Sequence, residues 1–203
     1  MSNQALFSYS SELEFFLPAG MTAETRVSKE SCFADDVWDF CDSANARLNA
    51  YTPSSLTIKW SRLASETGYA PLPWSTVILL KLFAYLYLHA PASVVPRCKR
   101  GSKNHPVTVC RLLKTLLPFM GHLQEKLQLD GAGISDAWTL ADVTGRHVRE
   151  SLKDWDCGSG PDLRRALICL TSSISHQAGE GYAPRWTAAD VQTLAIEATT
   201  KSY

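Results

Sequence analysis

The chain has no closely spaced cysteine pair, no phosphate-binding glycine loop and no uninterrupted apolar run long enough for a membrane. Six cysteines stand at 32, 41, 98, 110, 157 and 169. No two of them make a C-x-x-C unit, and the five histidines do not fall at ligand spacing beside them. A zinc site is therefore not expected. The signatures G-x-x-x-x-G-K-[ST], G-x-G-x-x-G, H-E-x-x-H and G-x-S-x-G are all missing. Their absence argues against P-loop, dinucleotide-binding, zincin and nucleophile-elbow chemistry, and no cofactor is expected. The most apolar stretch, Trp74 to Ala90, carries Lys81 in its middle and stops before Pro91. A span needs roughly 20 apolar residues, so a buried helix is the expectation. The opening MSNQALFSYSSELEFF lacks the basic start of a secretory signal, which points to reduced thiols and a cytoplasmic protein.

Net charge is also missing: 20 basic and 20 acidic residues cancel over 203 positions. What is present is segregation. Residues 1–50 have a net charge of −5 and residues 51–100 a net charge of +5. No Asp or Glu lies between Glu66 and Glu125, a stretch that holds Lys81, Arg97, Lys99, Arg100, Lys103, Arg111 and Lys114. A local cationic excess attracts polyanions even in a neutral chain, and the same pattern also fits a solvated basic face. Apolar residues make up 45% of the chain, enough to bury a core.

The periodicities predict a mainly α protein, a helical bundle behind a small, partly irregular N-terminal module. After a Pro18–Gly20 turn, a helix is expected from Ser31. It would put Val37, Phe40, Cys41, Ala44 and Leu48 on one face and Asp35 and Asp36 near its positive end. Asp35, Asp36, Asp39 and Asp42 form an acidic cluster that could hold a cation, or simply face solvent. Ser55–Trp60 reads as extended, and a buried helix is expected over 75–89. Residues 91–106, with three prolines and five bases, form an exposed basic loop and the candidate boundary between modules 1–95 and 96–203.

In the second module Pro106 opens a helix to about Leu129, with Val109, Leu112, Leu113, Leu116, Leu117, Met120, Leu123 and Leu127 as its apolar stripe. Pro118 predicts a kink or break. Thr144 is an expected N-cap, with Val143 and Val148 as a hydrophobic staple. Pro161 starts a further helix whose core face is Leu163, Ala166, Leu167, Leu170 and Ile174. Thr187 and Asp190 have capping-box spacing. The six tryptophans sit beside apolar stripes, so most are read as core. Arg146, His147 and Arg149 lie near a helix start, where phosphate or solvent is the expected contact.

With these elements placed, four segments carry a resemblance: HPVTVCRLLKTLLPFMGHL from His105, TLADVTGRHVRESL (139–152), PDLRRALICLTS (161–172) and PRWTAADVQTLAI (184–196). Together they are similar to the N-terminal, SAM-like core-binding region of tyrosine recombinases, the family of the phage integrases. Asp36–Asp39 and Leu56–Trp60 resemble extra N-terminal sequence in some large integrases. The resemblance implies a helical clamp on one face of duplex DNA, with self-association on DNA and a second domain for the chemistry. The family's catalytic set is an Arg, a Lys, a His-x-x-Arg pair and a nucleophilic Tyr. Here His147-Val-Arg149 is one residue short and Tyr203 is merely the last residue, so no catalytic residue is expected and this chain alone should not cut or join DNA.

The expected DNA contacts are Lys99, Arg100 and Lys103 from the loop, with Arg111, Lys114, Arg146, Arg149, Arg164 and Arg165 from the helices. The competing reading is a protein-interaction module that uses the acidic first quarter and the apolar helix at 75–89. No membrane or small-molecule partner is expected.

Overall fold

A computed structural model describes residues 17–41, 53–61, 72–90, 105–129, 138–155, 160–177 and 184–191. The architecture is mainly helical with one two-stranded antiparallel sheet. Strands β1 (Val37–Asp39) and β2 (Thr57–Lys59) are followed by helices α1 (Trp74–His89), α2 (Pro106–Leu129), α3 (Gly145–Asp154) and α4 (Gly160–Gln177). Short 3-10 turns occupy Pro53–Ser55 and Leu140–Asp142. No described helix is long and apolar enough to cross a membrane.

The helix expected from Ser31 is replaced, over the described part of its range, by turns and by β1. Trp38 pairs with Ile58 in the sheet and both are buried, whereas Val37 and its partner Lys59 are exposed. That alternation has period two, and the aromatic and β-branched residues of Val-Trp-Asp-Phe fit a half-buried strand better than a helix. Ser31 caps no helix: its hydroxyl accepts from Asp39 N–H (2.9 Å) and donates to the Val37 carbonyl (3.3 Å). Ala44 and Leu48 lie outside the described residues. Upstream, Met21 N–H closes a turn on the Pro18 carbonyl, with Gly20 at φ 88°, where a side chain would be strained. Residues 21–34 then fold back on themselves through Phe33 N–H to Thr25 O and Ala34 N–H to Ala23 O.

Helix α1 is buried nearly all round, which is why its sequence shows no polar face. One side packs on α2 and α4. Ser75 and Thr76 on that helix donate to the Trp138 carbonyl, while the Trp138 indole donates to Gln124 of α2 at 2.8 Å. Another side carries Lys81, Tyr85 and His89 at i, i+4 and i+8 and meets the N-terminal segment. His89 Nε2 donates to the Val27 carbonyl at 2.9 Å, and Tyr85 lies edge-on to Phe33. Burial lowers the His89 pKa, opposed by that hydrogen bond.

The predicted stripe of α2 is buried throughout. Of the kink or break expected at Pro118, the break does not occur: the helix runs on through it. The missing N–H belongs to the bond that would reach the Lys114 carbonyl, at an exposed position, while Leu116, Leu117, Phe119 and Met120 around the proline are buried. Such burial, at about 1.5–3 kcal/mol per large apolar side chain, offsets the roughly 3 kcal/mol cost of an internal proline.

Helix α3 docks on α2. Thr144 caps it as expected, and Val143 and Val148 are both buried. The Thr187–Asp190 box also forms: Asp190 N–H donates to the Thr187 hydroxyl and Thr187 N–H to the Asp190 carboxylate. Buried residues from Val27 to Val191 belong to one core cluster, Trp38, Trp60, Trp138 and Trp186 among them. The proposed module boundary lies outside the described residues.

Candidate nucleic-acid interface

The apolar stripe of α2 turns Arg111 and Lys114, three residues apart, to the opposite face. Both are exposed, and among the described residues neither has a carboxylate partner. No acidic residue occupies the first turn of α2. Cys110, one position before Arg111, is buried, and burial pushes its thiol up to about 11 despite the nearby Lys114 ammonium. It is an inert core group, not a nucleophile.

The α3 bases are differently placed. Arg146 is exposed and its Nε donates to Glu150 at 2.8 Å, one helical turn on. That hydrogen bond holds the Glu150 carboxyl below its usual range. Arg149 pairs with Asp190, forty-one residues later in the chain. The Asp190 pKa is lowered first by the Thr187 N–H and then by the Thr187 hydroxyl and Arg149. Arg164 and Arg165 on α4 are half-buried, and the Arg164 Nε is enclosed without a hydrogen-bond partner among the described residues. Lys99, Arg100 and Lys103 lie outside the described residues. Of the nine expected contacts, therefore, Arg111 and Lys114 are the ones placed as unpaired, exposed cations.

His147 takes part in the cap of α3. Its Nδ1 accepts from Thr144 N–H while its own N–H donates to the Thr144 hydroxyl, so it serves as the third residue of a capping box. Three acids of the first-quarter cluster accept hydrogen bonds from the chain itself. Asp35 accepts from Cys32 N–H, Asp36 from the Ser61 N–H and hydroxyl, and Asp39 from Cys41 N–H. Asp42 lies outside the described residues. Among the described residues no group of three or more His, Cys, Asp or Glu could hold a metal ion. Cys32, Cys41, Cys110 and Cys169 are unbridged. Helix α1, on which the protein-interaction reading relied, is covered by the chain's own residues.

Two features escaped the sequence reading. The Arg149–Asp190 pair joins segments too far apart for any periodicity to reveal. Asp190 also lies against the start of α3: a Cβ on Gly145 would come within 2.6 Å of its carboxylate. The only sequence signal was the capping spacing of Thr187 and Asp190, which accounts for a single partner of that side chain. Comparison of the chain with protein-family models, with curated proteins and with solved structures gave no match.

Proposed function

We propose that this chain is a DNA-binding helical domain of the tyrosine-recombinase core-binding type, which holds the duplex through its phosphate backbone and carries out no chemistry itself. The observation that carries the reading is the exposed Arg111–Lys114 pair, unpaired among the described residues, at the end of a long stretch free of acids. In the sequence these two follow the basic 97–103 segment within the first turns of α2. Arg146 and Arg149 contribute only when phosphate replaces Glu150 or Asp190, so they play the lesser part. The resemblance of residues 105–196 to core-binding regions favours the same partner, and the burial of α1 takes away one of the two surfaces on which the protein-interaction reading rests.

The test is fluorescence anisotropy with labelled duplex DNA on the parent and on the double variant R111A/K114A. Each phosphate contact adds about 0.9 to the slope of log K against log salt, so losing both should flatten the slope by about 2 and weaken binding to every sequence alike. An unchanged slope would remove these residues from the interface.

A further inference from the structure

Lys81 is the one lysine of the described core, 1% exposed, in the middle of a helix whose residues from Val77 to Leu88 are otherwise apolar or aromatic. Its Nζ donates to the Asp35 carbonyl at 2.9 Å and to the Ala34 carbonyl at 3.3 Å. Four aromatic rings surround the same nitrogen. Phe33 lies at 5.8 Å, Trp38 at 5.6 Å, Trp60 at 5.7 Å and Trp74 at 5.9 Å from ring centroid to Nζ. They come from the loop before β1, from β1, from the end of β2 and from the start of α1. Trp38 and Trp60 meet edge to face with centroids 5.0 Å apart, so the walls brace one another. An ammonium within about 6 Å of a ring centroid is drawn to the ring's negative face. Four such rings with two acceptor carbonyls line a box that fits an ammonium head and accepts its N–H groups. The charged groups beside it are Asp35 and Asp36, and the Asp36 carboxylate is already held by Ser61.

We propose that Phe33, Trp38, Trp60 and Trp74 form an alkylammonium-binding cage that the chain fills with its own Lys81, locking the β1–β2 hairpin onto α1. The occupant is part of the chain, so the lock is set during folding and does not depend on a ligand. Removing the side chain beyond Cβ leaves a space the shape of a propylammonium ion. The cage then takes a primary alkylammonium in preference to the neutral alcohol of the same length. The inference is independent of the DNA-binding reading.

Two measurements test it. In the parent, NMR should show a Lys81 ammonium resonance protected from solvent exchange, with side-chain methylene signals moved upfield by the surrounding rings, both absent in Lys81→Met. A Lys81 with the shifts and exchange of an exposed lysine would overturn the cage, whatever the variants do. In Lys81→Ala, n-propylammonium chloride at ten times its Kd should raise Tm by about 3–6 °C. Equal concentrations of 1-propanol or sodium chloride should not, and the parent should not respond. An equal response to propanol, or an equal response of the parent, would contradict ammonium selectivity. If Lys81→Ala does not fold, the parent NMR result decides.

Discussion

The hairpin region and the four-helix region reach stability by different routes. In the helical half, several starts are set by residues within a few positions of them. Thr144 with His147, Thr187 with Asp190, Thr139 with Asp142 and Pro106 at the start of α2 all act locally. In the hairpin half, the decisive contacts cross long stretches of sequence. Lys81 reaches Asp35, His89 reaches Val27 and Ser61 reaches Asp36. Local rules are therefore enough for one half, while the other is specified only when α1 is in place. Substitutions in the two halves should differ in kind as well as in size.

The largest effect is expected at Trp38, which is fully buried and serves both as a cage wall and as a β1–β2 pair residue. Trp38→Ala should cost about 3–5 kcal/mol in denaturant unfolding. A loss below 1 kcal/mol would mean that the hairpin adds little to the common core.

The next concerns pH. Burial lowers the Lys81 pKa from 10.5 to about 8, with Asp36 and Asp35 acting in the opposite direction. Between those values the unfolded chain binds the proton and the folded chain does not, so stability rises with pH across about 8 to 10.5. Below 8 the contribution is constant. Relative to Lys81→Met, the parent should gain on the order of 3 kcal/mol over that window, measured by urea unfolding at a series of pH values. Parallel curves for parent and variant would show that the lysine titrates as an exposed one.

A long-range contact also reaches the helical half. Gly145→Ala should destabilise by about 1–3 kcal/mol because its Cβ meets the Asp190 carboxylate. Much of that loss should disappear when Asp190→Ala is combined with it, as expected for coupled neighbours. Additive losses would separate the two sites. The smallest effect is local: Thr144→Ala should cost about 1 kcal/mol through loss of the α3 cap, with the β1–β2 region untouched in near-UV circular dichroism.

The same division explains what was legible in the sequence. The stripe of α2, the Thr144 cap with its staple, the Thr187–Asp190 box and the extended run near Leu56–Trp60 could all be read from spacing alone. The helix expected from Ser31 rests on Val37, Phe40 and Cys41 sharing a helical face, whereas in the structure Val37 is exposed and Trp38 and Phe40 are buried, the period-two alternation of a strand. What decides is Trp38, whose burial against Ile58 and beside Trp60 involves residues twenty or more positions away. At Pro118 the break alternative fails for a related reason, since a rule about the local hydrogen bond cannot weigh the burial around it. For the interface, composition located the basic stretch, but only the fold showed that Arg146 and Arg149 pair with Glu150 and Asp190, while Arg111 and Lys114 have no carboxylate partner among the described residues. Lys81, counted in the sequence among those stretch bases, turns out to be an internal cation unavailable to DNA.

The proposed grip on the duplex rests on salt. Titrating a labelled duplex with the parent chain at several salt concentrations should give log K falling linearly with log salt, with a slope of about −2 or steeper. Affinity that does not change with salt, or no binding at low salt, would contradict a phosphate-holding role for this chain.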